Sequence, residues 1–155
     1  MYWTQEFERV LPLLGHRNWI LVVDKAYPYQ SAAGLTYLDT KAPLPAVLER
    51  VVADIRASAH VRPVFYTDRE LAAVSEDLAP GADAFRAELG KLLAGASVQT
   101  LPHESVFKKL DDASKLFNVV VLKTECTIPY TSVFIELDCG YWSAEKEQAL
   151  RAKMR

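Results

Sequence analysis

Apolar positions along the chain switch between a helical period and continuous strand-like runs. Trp3, Phe7, Val10, Leu11 and Leu14 recur at helical spacing, with Pro12 placed to bend that helix and Gly15 to stop it. The run NWILVV (18–23) reads as one buried strand, and AYPYQSAAG (26–34) as a loop. LTYLD (35–39) is a short strand. In APLPAVLERVVADIRAS, prolines open a segment whose Leu44, Val47, Leu48, Val51, Val52 and Ile55 fall on one helical face. VRPVFYT (61–67) is a strand, with Pro63 pointing to an edge or an irregular start. Asp68 then reads as the N-cap of a helix over 68–78, and a further helix closes on Gly95. SVQTL is a strand, HESVFKKLDDASK a helix, LFNVVVLK and TSVFIELD strands, and SAEKEQALRAKMR a charged, solvated terminal helix.

Strands separated by helices predict an α/β fold: three Rossmann-like layers with a largely parallel central sheet. At 155 residues, with no internal repeat or linker, the chain reads as one domain over 1–155. In such sheets ligands bind outside the carboxyl ends of the strands. That singles out Asp24 and its loop, Thr67 and Asp68, Pro102 and His103, and the segment after Lys123.

Composition narrows the function by exclusion. With 18 basic and 20 acidic residues the net charge is -2, so nothing supports a nucleic-acid partner. No apolar run approaches the roughly 20 residues that span a bilayer, which predicts no membrane partner. The start MYWTQEFERVLPLL lacks a basic stretch followed by an apolar one, so no signal peptide is read. Cys126 and Cys139 are too few for a disulfide framework and are expected as free, half-buried thiols. A cytoplasmic location is the expectation. No glycine-rich phosphate loop and no GxSxG is present, so nucleotide binding and serine hydrolysis lose their sequence support. His16, His60 and His103 do not sit at metal-ligand spacing with the cysteines, and no metal is expected. His60 reads as a solvated loop residue, whereas His16 and His103 stand at element boundaries.

Two segments carry a resemblance. LGHRNWILVVDKAYP resembles the first-strand signature of the D-ribose pyranase and L-fucose mutarotase family, matched at Gly15, His16, Asp24 and Pro28. FKKLDDASKLFNVVVLKTECTIPYTSVFIEL resembles the family's C-terminal part, matched at Glu125, Cys126 and Tyr130. The resemblance implies an α/β fold, a ring-shaped homo-oligomer (a pentamer or decamer), and a free monosaccharide as ligand. It implies an isomerase that exchanges pyranose and furanose forms or anomers. His16 resembles the catalytic histidine, Asp24 a sugar-binding aspartate, and Tyr130 the tyrosine of the sugar-binding Tyr-x-Asn segment. His103 resembles the histidine of the ribose pyranases. The chain departs from the pattern in carrying Ser132 for the Asn and one extra residue between Glu125 and Tyr130. His103 is displaced by one from the Phe-Lys anchor, and residues 143–155 form an extra C-terminal helix.

The chemistry fits these residue types. Exchanging sugar ring forms needs no redox cofactor, metal or covalent carrier, so none is expected. The anomeric hydroxyl loses a proton while the ring oxygen gains one, and a histidine titrating near neutrality serves both directions. Asp24, Tyr130 and Ser132 would hold hydroxyls; Tyr27, Tyr29, Trp19 and Trp142 are candidate ring faces. Glu125 is placed to pair with Lys123 or Lys108. His16 and Asp24 are eight residues apart, which in an extended strand is about 20 Å or more. A small sugar reaches both only if the Gly15-His16 turn folds back or a second subunit supplies one of them, and the second is the expectation. Two alternatives remain at this level. One is a non-catalytic monosaccharide-binding or transport-associated module on the same scaffold, the other an interaction protein that has kept the ring.

Overall fold

The computed structural model describes residues 2–155. Helix α1 (Trp3–Val10) gives way at Pro12 to a short 3-10 turn, Leu11–Leu13, because proline cannot donate to the helical ladder. Strand β1 (Trp19–Val23) follows, then β2 (Leu35–Asp39), α2 (Leu44–Arg56) and β3 (Val61–Asp68). After β3 comes a 3-10 turn, Arg69–Ala73, then α3 (Ala82–Leu92), β4 (Val98–Leu101), α4 (His103–Ser114), β5 (Val119–Lys123), β6 (Val133–Cys139) and α5 (Ala144–Lys153).

The six strands form one sheet in the order β2-β5-β1-β6-β3-β4. The pairs β2/β5, β5/β1 and β3/β4 are parallel, while β6 runs antiparallel to both β1 and β3. The sheet is therefore mixed: five of its strands run parallel, as the alternation predicted, and β6 alone is reversed. Segment length explains the reversal. A parallel return needs a crossover of a dozen or more residues, and only residues 124–132 separate β5 from β6. So β6 starts at the edge where β5 ends. The antiparallel strand thereby brings Thr131 and Ser132 to the same edge as the carboxyl ends of the other strands.

The three layers are unequal. On one face α1, α2 and α3 cover the sheet through Phe7, Leu48, Val51, Ile55 and Phe85, packed on Ile20, Val22, Val120 and Ile135. On the other face α4 packs Val106 and Leu110 against Trp19, Leu21, Val23, Val121 and Phe134. Successive β1 residues thus alternate between two cores, as a fully buried strand requires. Pro63 lies in β3 where only β6 is alongside, since β4 reaches no further than Phe65. The expected edge position is thus local to that half of the strand. Helix α5 buries none of its residues. Among the described residues no helix is long and apolar enough to cross a membrane.

Candidate active site

The carboxyl ends of β1, β3 and β4 and the start of β6 surround a cavity of about 290 Å³, at the small end for ligand pockets. Its lining includes Asp24, Tyr27, Asp68, His103, Tyr130 and Ser132. Four of the five site residues expected from sequence, Asp24, His103, Tyr130 and Ser132, meet here.

Asp24 is the first residue past β1. The end of that strand is pinned to β5: the Thr124 hydroxyl donates to Val23 O at 2.7 Å and Lys25 N–H to Cys126 O at 2.7 Å. Buried Ser132 then fixes the carboxylate. Its hydroxyl donates to Asp24 Oδ1 at 2.9 Å and accepts the Asp24 N–H at 3.1 Å. The serine therefore braces the aspartate from within the cavity lining. Tyr27 is buried and stacks on Phe107 of α4, ring centroids 5.7 Å apart. Tyr130 has φ 61°, a left-handed conformation rare for a tyrosine, and this holds its half-exposed ring edge-on to His103 at 5.5 Å.

His103 opens α4. Its backbone N–H donates to both carboxylate oxygens of Glu70, at 3.0 and 3.2 Å, so that side chain caps the helix. Its ring Nδ1 lies 2.8 Å from Asp68 Oδ2. Asp68 does not cap a helix with its side chain, as the sequence suggested; it ends β3 and turns inward to the histidine. Its side chain is fully buried, 0% exposed, beside an imidazole that is 30% exposed. Burial is the main cause that pushes the Asp68 carboxyl from 3.8 up to about 6; His103 opposes the rise, while Glu70 and Asp24 add to it. Burial likewise pushes the Tyr27 phenol up, so it stays protonated.

Two buried polar atoms of this lining, Tyr27 OH and Asp68 Oδ1, have no partner among the described residues. An orphaned buried group costs roughly 1–3 kcal/mol, so folds keep such groups where a ligand or water satisfies them. Larger hollows of about 450 Å³ beside His16 and 390 Å³ beside β4 do not bring Asp24, His103, Tyr130 and Ser132 together.

His16 is not in this cavity. It precedes β1 at the opposite edge of the sheet, where its Nδ1 lies 3.1 Å from Asp138 Oδ1 and its side chain is 56% exposed. Arg62 holds Asp138 through Oδ2 at 2.8 Å, and that bond keeps the carboxyl below its ordinary range. His60, expected in solvent, is half-buried with Nε2 3.0 Å from Leu14 O. Glu125 pairs with Lys25 at 3.0 Å, not with Lys123 or Lys108. Lys123 instead donates to Tyr27 O, and burial lowers its pKa. Of the other candidate ring faces, Trp19 packs in the core on Tyr66, Tyr29 against Tyr37, and Trp142 near His16. Asp68 was visible in the sequence as a strand-end carboxylate; its role was masked by an equally good reading as a cap.

No family model and no curated protein matches the chain. Solved structures do. Bacillus subtilis RbsD, complexed with D-ribose, superposes with a TM-score of 0.58 at 22% identity, covering 86% of this chain and 91% of its own. The fucose mutarotase of Streptococcus pneumoniae, in complex with L-fucose, gives 0.56 at 18%, covering 86% and 91%. FucU from Bifidobacterium longum gives 0.54 at 13%, covering 86% and 94%. The chain has the fold of these proteins.

Proposed function

We propose that the protein is a cofactor-independent sugar isomerase, binding a free pentose or deoxyhexose and exchanging its ring forms or anomers. The observation that carries this reading is the small cavity at the sheet's carboxyl edge. There a braced carboxylate, an imidazole and two phenols converge, with two buried polar atoms still unpartnered. Such a set suits a ring bearing hydroxyls on its rim and C–H groups on its faces. The fold shared with proteins solved with D-ribose and L-fucose supports it.

In this reading Asp24, braced by Ser132, accepts hydrogen bonds from sugar hydroxyls, and Tyr130 closes the cavity over the ring. His16 enters from a second copy of the chain. Its position at the far edge supports this, since one subunit cannot bring it to Asp24. Asp138 accepts from its Nδ1 and orients the ring so that its other nitrogen faces the ring oxygen. The assembly is a closed ring, the pentamer or decamer that the family resemblance implies.

Saturation-transfer NMR on pentoses and deoxyhexoses, without added metal or nucleotide, tests the reading. Exchange above the buffer rate for at least one sugar is expected; buffer rates across the panel overturn it. Mixing His16→Ala with Asp24→Ala subunits, each inactive alone, is expected to restore activity after subunit exchange. Mixed rings without activity refute the shared site.

A further inference from the structure

We infer that His103 is a second proton-transfer group of the site and that Asp68 is its positioning residue, fixing the imidazole as the Nδ1–H tautomer. This rests on the sugar reading above and goes beyond it, because that reading uses His103 only for binding. Asp68 Oδ2 sits 2.8 Å from Nδ1, and an ionised carboxylate can only accept, so the ring proton is held on Nδ1. Nε2 is then left with a lone pair and no protein partner among the described residues. The ring's orientation is determined from several sides. Glu70 holds the His103 backbone, Phe107 meets the imidazole edge-on at 4.6 Å, and Tyr130 meets it at 5.5 Å. A histidine kept only to bind a hydroxyl needs no buried carboxylate behind it. A base that must become an imidazolium does, since the carboxylate stabilises the charge as it forms. Burying Asp68 costs stability, and the fold keeps it with one oxygen free.

The step balances. His103 Nε2 takes the proton of the anomeric hydroxyl, whose O–H electron pair becomes the second bond of the C1 carbonyl. The bond from C1 to the ring oxygen breaks, its pair stays on that oxygen, and the oxygen takes a proton from the His16 imidazolium of the second copy. Closure by the same or another hydroxyl onto either carbonyl face returns both protons.

The ¹⁵N–¹H spectrum of the histidine rings of the full-length protein at pH 8 reads the tautomer without any activity. The expected result is His103 protonated on Nδ1 and bare on Nε2. Protonation on Nε2 overturns the inference whether or not sugars exchange. The second arm is Asp68→Asn, near-isosteric and uncharged. It should turn over about 10-fold or more slower at saturating sugar, with half-saturation within about twofold and a displaced pH profile. A wild-type rate and pH profile in Asp68→Asn overturn the inference. If the wild type exchanges no sugar while Nδ1 carries the proton, the sugar reading fails, and the proton-transfer role falls with it.

Discussion

Replacing Asp68 by asparagine should make the fold more stable at neutral pH. The Asp68 side chain is 0% exposed and its carboxyl is pushed from 3.8 up to about 6. The folded state therefore binds the proton more tightly than the unfolded chain. For this group, stability is greatest below 3.8, falls as pH rises between 3.8 and about 6, and stays lowered above that. The displacement corresponds to roughly 3 kcal/mol, with the help of His103 already included. Asparagine keeps the shape and a carbonyl oxygen for the His103 Nδ1–H while removing the buried charge. At pH 7 the variant should gain up to about 3 kcal/mol, and the gain should shrink towards zero near pH 4. For a chain of this size that is a rise in Tm of up to about 6–12 °C. Scanning calorimetry of both proteins from pH 4 to 8 measures it. Equal Tm values at pH 7, or a gap widest at pH 4, refute the reasoning. Together with slower turnover, the gain would mark Asp68 as held in place at a cost in stability.

His16→Ala should lower sugar exchange by about 10²-fold or more with Tm unchanged, since the side chain is 56% exposed; exchange NMR and calorimetry on one sample check both. Ser132→Ala removes the bond its hydroxyl donates to Asp24 and the one it accepts. Sugar binding should weaken about 10-fold by titration calorimetry, and unchanged affinity would mean that Asp24 needs no brace. Phe134→Ala empties a fully buried position under α4 and should cost about 3–5 kcal/mol in denaturant unfolding.

Much of the fold was legible because it is local. The continuous apolar run before Asp24 can only be a strand buried on both faces, and the 44–55 pattern can only be a helix with one apolar face. Strand ends are local too, so Asp24 and His103 were legible from them, whereas Tyr130 and Ser132 came from the resemblance to the pyranase and mutarotase family; all four share one cavity. The direction of β6 depends on which strands flank it, although the short 124–132 segment already excluded a parallel return to the sheet. Pairing across the fold was not readable. Lys25 with Glu125, His60 with Leu14 and His103 with Asp68 join residues distant in sequence, and each side chain had an equally good local role on paper. His16 shows the same division. The sequence by itself put it at the start of a strand and its neighbour Asp24 at the end. Their separation followed from the extended strand, but only the folded sheet showed that the turn at His16 does not fold back and that Asp138 and Arg62 hold it there. Backbone pattern is set by near neighbours, whereas a site is assembled by side chains whose neighbours only the tertiary fold supplies.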